Sequence, residues 1–249
     1  MCCGALVMEP YLFYGKIRPE RAQLSLGFDL RFQHSSTGHT GRIEVSVILN
    51  ELVARVYTDE VWDIFDLRNL VSNVIRTELS AFGYLVGRAY DIEITRVLRL
   101  EEKLDHVFGI EVDCIAVPRR ESPVEQKLLA LRPFLQGESG IYVSRCLMDL
   151  MSALRYADDT AFYCYRAVEA LRNHCVKTQG KAISGRDAQW ELFRSISGVS
   201  RDEIALLSDS AKGVRHGGFA AFDGSGRALL LEKAWEIVDR YLAAIQKSA

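Results

Sequence analysis

The hydrophobic pattern changes period partway along the chain. Ile43, Val45, Val47 and Leu49 recur at every second residue, which puts one face of an extended strand into a core. Much later, Ala157, Ala161, Tyr165, Val168, Leu171 and Cys175 recur at intervals of three and four, the spacing of one stripe on a helix. With the two patterns in separate stretches, the expected class is α+β, strands and helices segregated.

Alternation governs residues 1–118. "YLFYGKI", "AQLSLGFDLRF", "RIEVSVIL" and "LVARVYT" read as strands, with the polar loop "QHSSTGHTG" between the second and third and a tight turn at Asn50-Glu51 before the fourth. The period then becomes helical over "DIFDLRNLVSNVIRTELSAFGYLVGRA", with Asp63 as N-cap and Leu67, Val71, Val74 and Leu79 on one side. "YDIEITRVLRL" and "VFGIEVDCIAV" read as two further strands. This half is expected to be an antiparallel sheet with one packed helix.

Residues 119–140 read as a linker with a short helix, opened by Ser122, Pro123 and Glu125 as a capping box with proline at N1. "QGESG" at 136–140 reads as a hinge. Residues 141–249 are expected to form an antiparallel bundle of four helices. These are a long one over 141–178, "AQWELFRSIS" capped by Asp187 and closed by Gly198, one opened by a Ser200–Glu203 capping box and ended by Gly217-Gly218, and a last over about 226–246.

Composition narrows the function classes. A net charge of −2 gives no global pull toward nucleic acid or anionic membrane, although the second half is mildly basic and the first mildly acidic. No run approaches the length of a membrane span, and the start lacks a basic leader, so the expectation is no membrane association. The six cysteines show no CxxC and no regular spacing, which suits a reducing, cytoplasmic setting. No Walker-type loop, no GxGxxG and no metal-ligand spacing occurs, so neither a cofactor nor a metal is expected.

Two groups of residues are candidates for chemistry. Arg215-His216 closes a helix ahead of Gly217. The pair either offsets the partial negative charge of a helix C-terminus or forms half of a site. Arg155, Asp159, Phe162, Arg166, Glu169 and Asn173 form a polar stripe beside the apolar one. It either faces water, with Arg166–Glu169 a routine i,i+3 pair, or sits partly buried beside the Arg215-His216 helix. In the second case guanidinium groups grip a phosphate and the imidazole moves a proton.

The order "YRAVEALRN", "WELFRSI" and "RDEIALLSDSAKGVRHG", followed by a Trp- and Tyr-bearing helix, resembles the HEPN superfamily of helical bundles over about residues 141–247. The resemblance implies an RNA or nucleotide ligand and a homodimer through the helical domain, in a bacterial stress or defence setting. It also implies, in many members, metal-independent ribonuclease activity. His216 matches the family histidine, while the positions for its arginine hold Ala211, Ser210 or Asp209, leaving Arg215 as the nearest. The resemblance would make His216 and Arg215 the catalytic pair, and Arg166, Glu169, Arg172 and Asn173 the phosphate- or RNA-binding group. The alternative is a non-catalytic dimerisation or protein-interaction module with a ligand-sensing N-terminal domain.

Overall fold

The computed structural model describes residues 9–33, 38–179, 183–218 and 222–247. The Cys2-Cys3 pair, His34, the segment Ser35–Thr37 and Gly180 lie outside them. The chain divides into two compact units between Ile110 and Glu111, ahead of the boundary at 118 expected from the sequence. It is an α+β protein, with strands in the first unit and helices dominating the second.

The first unit holds β1 (Tyr11–Arg18), β2 (Leu26–Gln33), β3 (Thr40–Ile48), β4 (Glu51–Thr58), α1 (Ile64–Val86), β5 (Asp91–Arg99) and β6 (Leu104–Val107). One sheet contains all six strands in the order β2-β3-β4-β1-β5-β6, and every neighbouring pair is antiparallel. Alternation does what period-two patterning requires: Phe13, Ile17, Ile43, Leu52 and Val56 are buried on one face. α1 supplies Leu67, Val71, Ile75 and Leu79 to the same core. Its N-cap is Asp63, which accepts hydrogen bonds from the backbone N–H groups of Phe65 and Asp66.

The β3–β4 turn sits one residue earlier than the Asn50-Glu51 pair suggests. Leu49 and Asn50 take positive φ, and Glu51 already belongs to β4. The buried Asn50 carboxamide accepts from the Leu24 N–H at 2.6 Å and donates to the carbonyls of Ile17 at 2.8 Å and Pro19 at 3.1 Å. Backbone approach is very close at Gly15, where the β1–β5 register slips. A Cβ there would lie 2.3 Å from the Glu93 carbonyl oxygen. The expected strand "VFGIEVDCIAV" does not form as such. Alternation stops at Phe108, whose ring packs on Phe13, and Asp113–Ala116 is helical, with Ile115 buried in the core of the second unit.

The second unit holds α2 (Asp113–Ala116), α3 (Val124–Leu131), α4 (Gly137–Arg155), α5 (Thr160–Gln179), α6 (Arg186–Ser197), α7 (Arg201–Arg215) and α8 (Gly224–Lys247). Three sequence expectations are corrected here. Ser122 is not the cap: Pro123, with ψ 76°, is the N-cap of α3, and among the described residues no side chain caps that helix end. "QGESG" is not a hinge but the first turn of α4, and Gly140 packs so closely on the Leu135 backbone that a Cβ would lie 2.5 Å from it. Asp187 lies in the first turn of α6, whose N-cap is Gly185.

The single helix expected over 141–178 is two, so among the described residues five long helices stand where four were expected. Tyr156, in an extended conformation, ends α4. Arg227 of α8 then caps that end, donating to the carbonyls of Ala153 at 3.2 Å and Leu154 at 2.7 Å and to the Thr160 hydroxyl at 3.0 Å. Other signals hold. The Ser200–Glu203 capping box has both of its bonds, and Gly198 takes the left-handed conformation that closes α6. α5 runs through the middle, packed on α4, α6, α7 and α8. Trp190 and Trp235 are anchors of this core.

Candidate functional site

Helical spacing brings Arg166, Glu169, Arg172 and Asn173 to one side of α5, where they meet Tyr142 and Arg145 of α4 across a cleft of about 600 Å³. All four phosphate-binding candidates therefore share one concavity. The pairing inside it differs from the i,i+3 expectation. Arg166 takes Asp149 of α4, not Glu169: its Nε donates at 2.8 Å, and a second bond runs from Nη2 to the other carboxylate oxygen. The Asp149 side chain is 2% exposed and that of Arg166 40%. The guanidinium also stacks over Phe162 and Tyr163 at about 5 Å from each ring centre. Its hydrogen bond to Asp149 raises the Arg166 pKa above the ordinary arginine value.

Arg172 has a different environment. Its side chain is 12% exposed and lies 4.8 Å from the Trp190 ring centre. Nη2 donates to the Asn173 carboxamide oxygen at 2.9 Å, while the buried Nε has no hydrogen-bond partner among the described residues. Burial pushes the Arg172 pKa down, against the opposing pull of Glu169. Glu169 stands 3.9 Å from Arg172 Nη1 and accepts from Arg186 of α6 at 3.3 Å.

Arg186 also donates to the Tyr165 hydroxyl at 3.0 Å. From there the basic surface continues into a second cleft of about 570 Å³, lined among others by Arg186, Arg194, Arg201 and Trp190. Arg215, at the end of α7, lies over the Tyr165 ring at 5.2 Å. The Arg215 half of the proposed catalytic pair thus meets α5. His216 does not join it: the residue is the exposed C-cap of α7, its backbone N–H bonds to the Gly213 carbonyl, and its side chain lines neither cleft. Among the described residues, none forms a hydrogen bond or ion pair with its imidazole, Arg166 included.

Local spacing missed Asp149, Arg145 and Arg186. Asp149 did carry a signal, an acid inside the apolar run "CLMDLMSAL". Such a placement requires a cationic partner. Arg145 is exposed and makes no ion pair among the described residues. The arrangement suits an anion: guanidinium groups from α4, α5 and α6 lie along these clefts, aromatic rings pack against those of Arg166 and Arg172, and carboxylates do not neutralise all of them. Among the described residues no group of three His, Cys, Asp or Glu side chains could hold a metal ion, and no helix is long and apolar enough to cross a membrane.

Residues 11–108 match the N-terminal domain, and residues 128–246 the C-terminal domain, of a family described as a domain of unknown function (DUF8168). No curated protein and no solved structure matches the chain.

Proposed function

We propose, for this chain as a member of the DUF8168 family, that its helical unit is a HEPN-like module that binds RNA or nucleotide phosphates through the arginine-lined clefts beside α5. The observation that carries the reading is the continuity of guanidinium groups along that helix. Arg145 and Arg166 stand on one side, Arg172 bridges toward Trp190, and Arg186 and Arg215 meet at Tyr165. Asp149 fixes Arg166 in orientation, so its outer N–H edge is preorganised for a phosphate oxygen. Exposed Arg145 supplies a charge with no carboxylate to displace. Cleavage in this reading is metal-free. The 2′-hydroxyl oxygen of the RNA attacks the adjacent phosphorus and the P–O5′ bond breaks, leaving a 2′,3′-cyclic phosphate and a 5′-hydroxyl end. His216 carries the proton from the 2′-hydroxyl to the departing 5′-oxygen and Arg215 offsets the developing charge. The exposed position of His216 makes it accessible to a chain laid across the end of α7.

The test is anisotropy of a labelled single-stranded RNA titrated with the full chain at low salt. Arg145→Glu should weaken binding about tenfold or more and lower the salt slope. His216→Ala should abolish EDTA-resistant cleavage while leaving binding in place. RNA that does not bind the wild type, or binds Arg145→Glu equally well, would overturn the assignment. One observation favours a second reading, the non-catalytic interaction module: Ile141, Met148 and Met151 of α4 are all more than half exposed. That reading is supported if Met148→Lys abolishes self-association while no variant turns RNA over.

A further inference from the structure

The two edges of the sheet are built differently. β6 is four residues long, one of the usual ways of making an edge unfit for further pairing. β2, at the other edge, has eight residues, no proline, no lysine and an unbroken register with β3. Its outer rim of backbone donors and acceptors is therefore a template for another strand. Along it, Leu26, Phe28, Leu30 and Phe32 are half-buried on the core side, and Gly27, Asp29, Arg31 and Gln33 are exposed on the other.

The charges on that strand are unevenly satisfied. Asp29 holds Arg42 of β3 with both carboxylate oxygens at 2.9 Å from Nε, and Arg42 also meets Glu44 at 2.8 Å. Arg31, directly opposite Arg42 in the ladder, makes no ion pair among the described residues. Its charge is felt only at a distance by Asp29, two residues away. The β2–β3 ladder thus sets two guanidinium groups side by side and gives the carboxylates to one of them.

We infer that β2 pairs antiparallel with β2 of a second copy of this chain, centred on Leu30, to make one continuous sheet across a twofold axis. The sequence selects this register. With Leu30 opposite Leu30, Asp29 faces Arg31 of the other copy, Arg31 faces its Asp29, and Phe28 faces its Phe32. Centring on Asp29 sets Asp29 against Asp29, and centring on Arg31 sets Arg31 against Arg31. A slip of one residue places each phenylalanine opposite a residue of the polar face. The twofold repeats every favourable pair, as an isologous interface requires. The phenylalanine and leucine rows, half-covered in one copy, then cover each other.

Sedimentation of the full chain at micromolar concentration tests this. The wild type should be dimeric, Arg31→Lys should remain so, and Arg31→Asp should weaken association about a hundredfold, because the twofold turns both ion pairs into repulsions. Asp29→Arg should be monomeric for the same reason. An equimolar mixture of Arg31→Asp with Asp29→Arg should dimerise again, since the first variant carries carboxylates at both positions and the second carries guanidinium groups at both, so each facing pair is again of opposite charge. A monomeric wild type overturns the inference. So does an Arg31→Asp variant that still dimerises, which would move the contact to the helical unit. A mixture of two folded variants that stays monomeric also overturns it. If Asp29→Arg does not fold, the contrast between Arg31→Lys and Arg31→Asp decides alone. None of these outcomes depends on RNA binding.

Discussion

In the sheet unit, Arg42 meets Asp29, Arg96 meets Asp105 and Arg18 meets Glu93, with every side chain about half exposed. In the helical unit, the carboxylate of Asp149 is almost completely buried, Arg172 lies under Trp190, and His174 is sealed against Tyr241 at 2.7 Å. The sheet has one polar face, where these charges stay in water; Arg99 is a buried exception, bonded to the Tyr11 hydroxyl at 3.1 Å and to Glu102 at 2.7 Å. The bundle surrounds α5 with other helices, so polar groups on that helix are enclosed and must find partners. What is irreplaceable therefore differs. At Gly15 in the sheet it is backbone proximity; at Asp149 in the bundle it is the partner of a buried charge.

The largest effect is expected at Gly15. Gly15→Ala drives a Cβ into the Glu93 carbonyl and should cost about 3 kcal/mol by denaturant unfolding. A cost near zero would break the backbone half of the comparison. Arg166→Met should cost about 2 kcal/mol. Its own exposure softens the loss, but the buried Asp149 carboxylate is left without a partner. Adding Asp149→Leu should recover most of it. If the double variant is no more stable than the single one, burial of the acid is not the cause.

A smaller effect is expected from pH. Burial lowers the His174 pKa, so the unfolded chain takes up a proton that the folded one refuses. The contribution is complete above the unfolded value of about 6.5 and is lost as pH falls below it. Melting temperature should decline from about pH 7 to about pH 5.5, and His174→Phe should flatten that decline. Asp105→Ala removes an exposed partner of Arg96 and should leave the melting curve unchanged. A clear loss there would erase the distinction between the two units.

Period and capping made much of this fold readable before any coordinates. The alternating faces of β1, β3 and β4, the Asp63 cap and the Ser200–Glu203 box all follow from residues close in sequence. The break between α4 and α5 did not, because Ala157 continues the apolar stripe and the residue that stabilises the α4 end, Arg227, comes from α8. The same limit applies to the site. Spacing on one helix was enough to group Arg166, Glu169, Arg172 and Asn173. It could only suggest a local partner for Arg166, whereas the real one lies on α4. Sequence neighbours also placed Arg215 and His216 together, but a helix end sends adjacent side chains in different directions, and only Arg215 turns toward Tyr165.

Arg227 has a consequence for how the protein is made. The carbonyls it caps belong to residues 153 and 154, so the end of α4 waits for a guanidinium synthesised more than seventy positions later. During translation the earlier helices leave the ribosome with that terminus open. A message truncated ahead of α8 would yield a bundle lacking both its final wall and this clasp, a natural target for quality-control proteases.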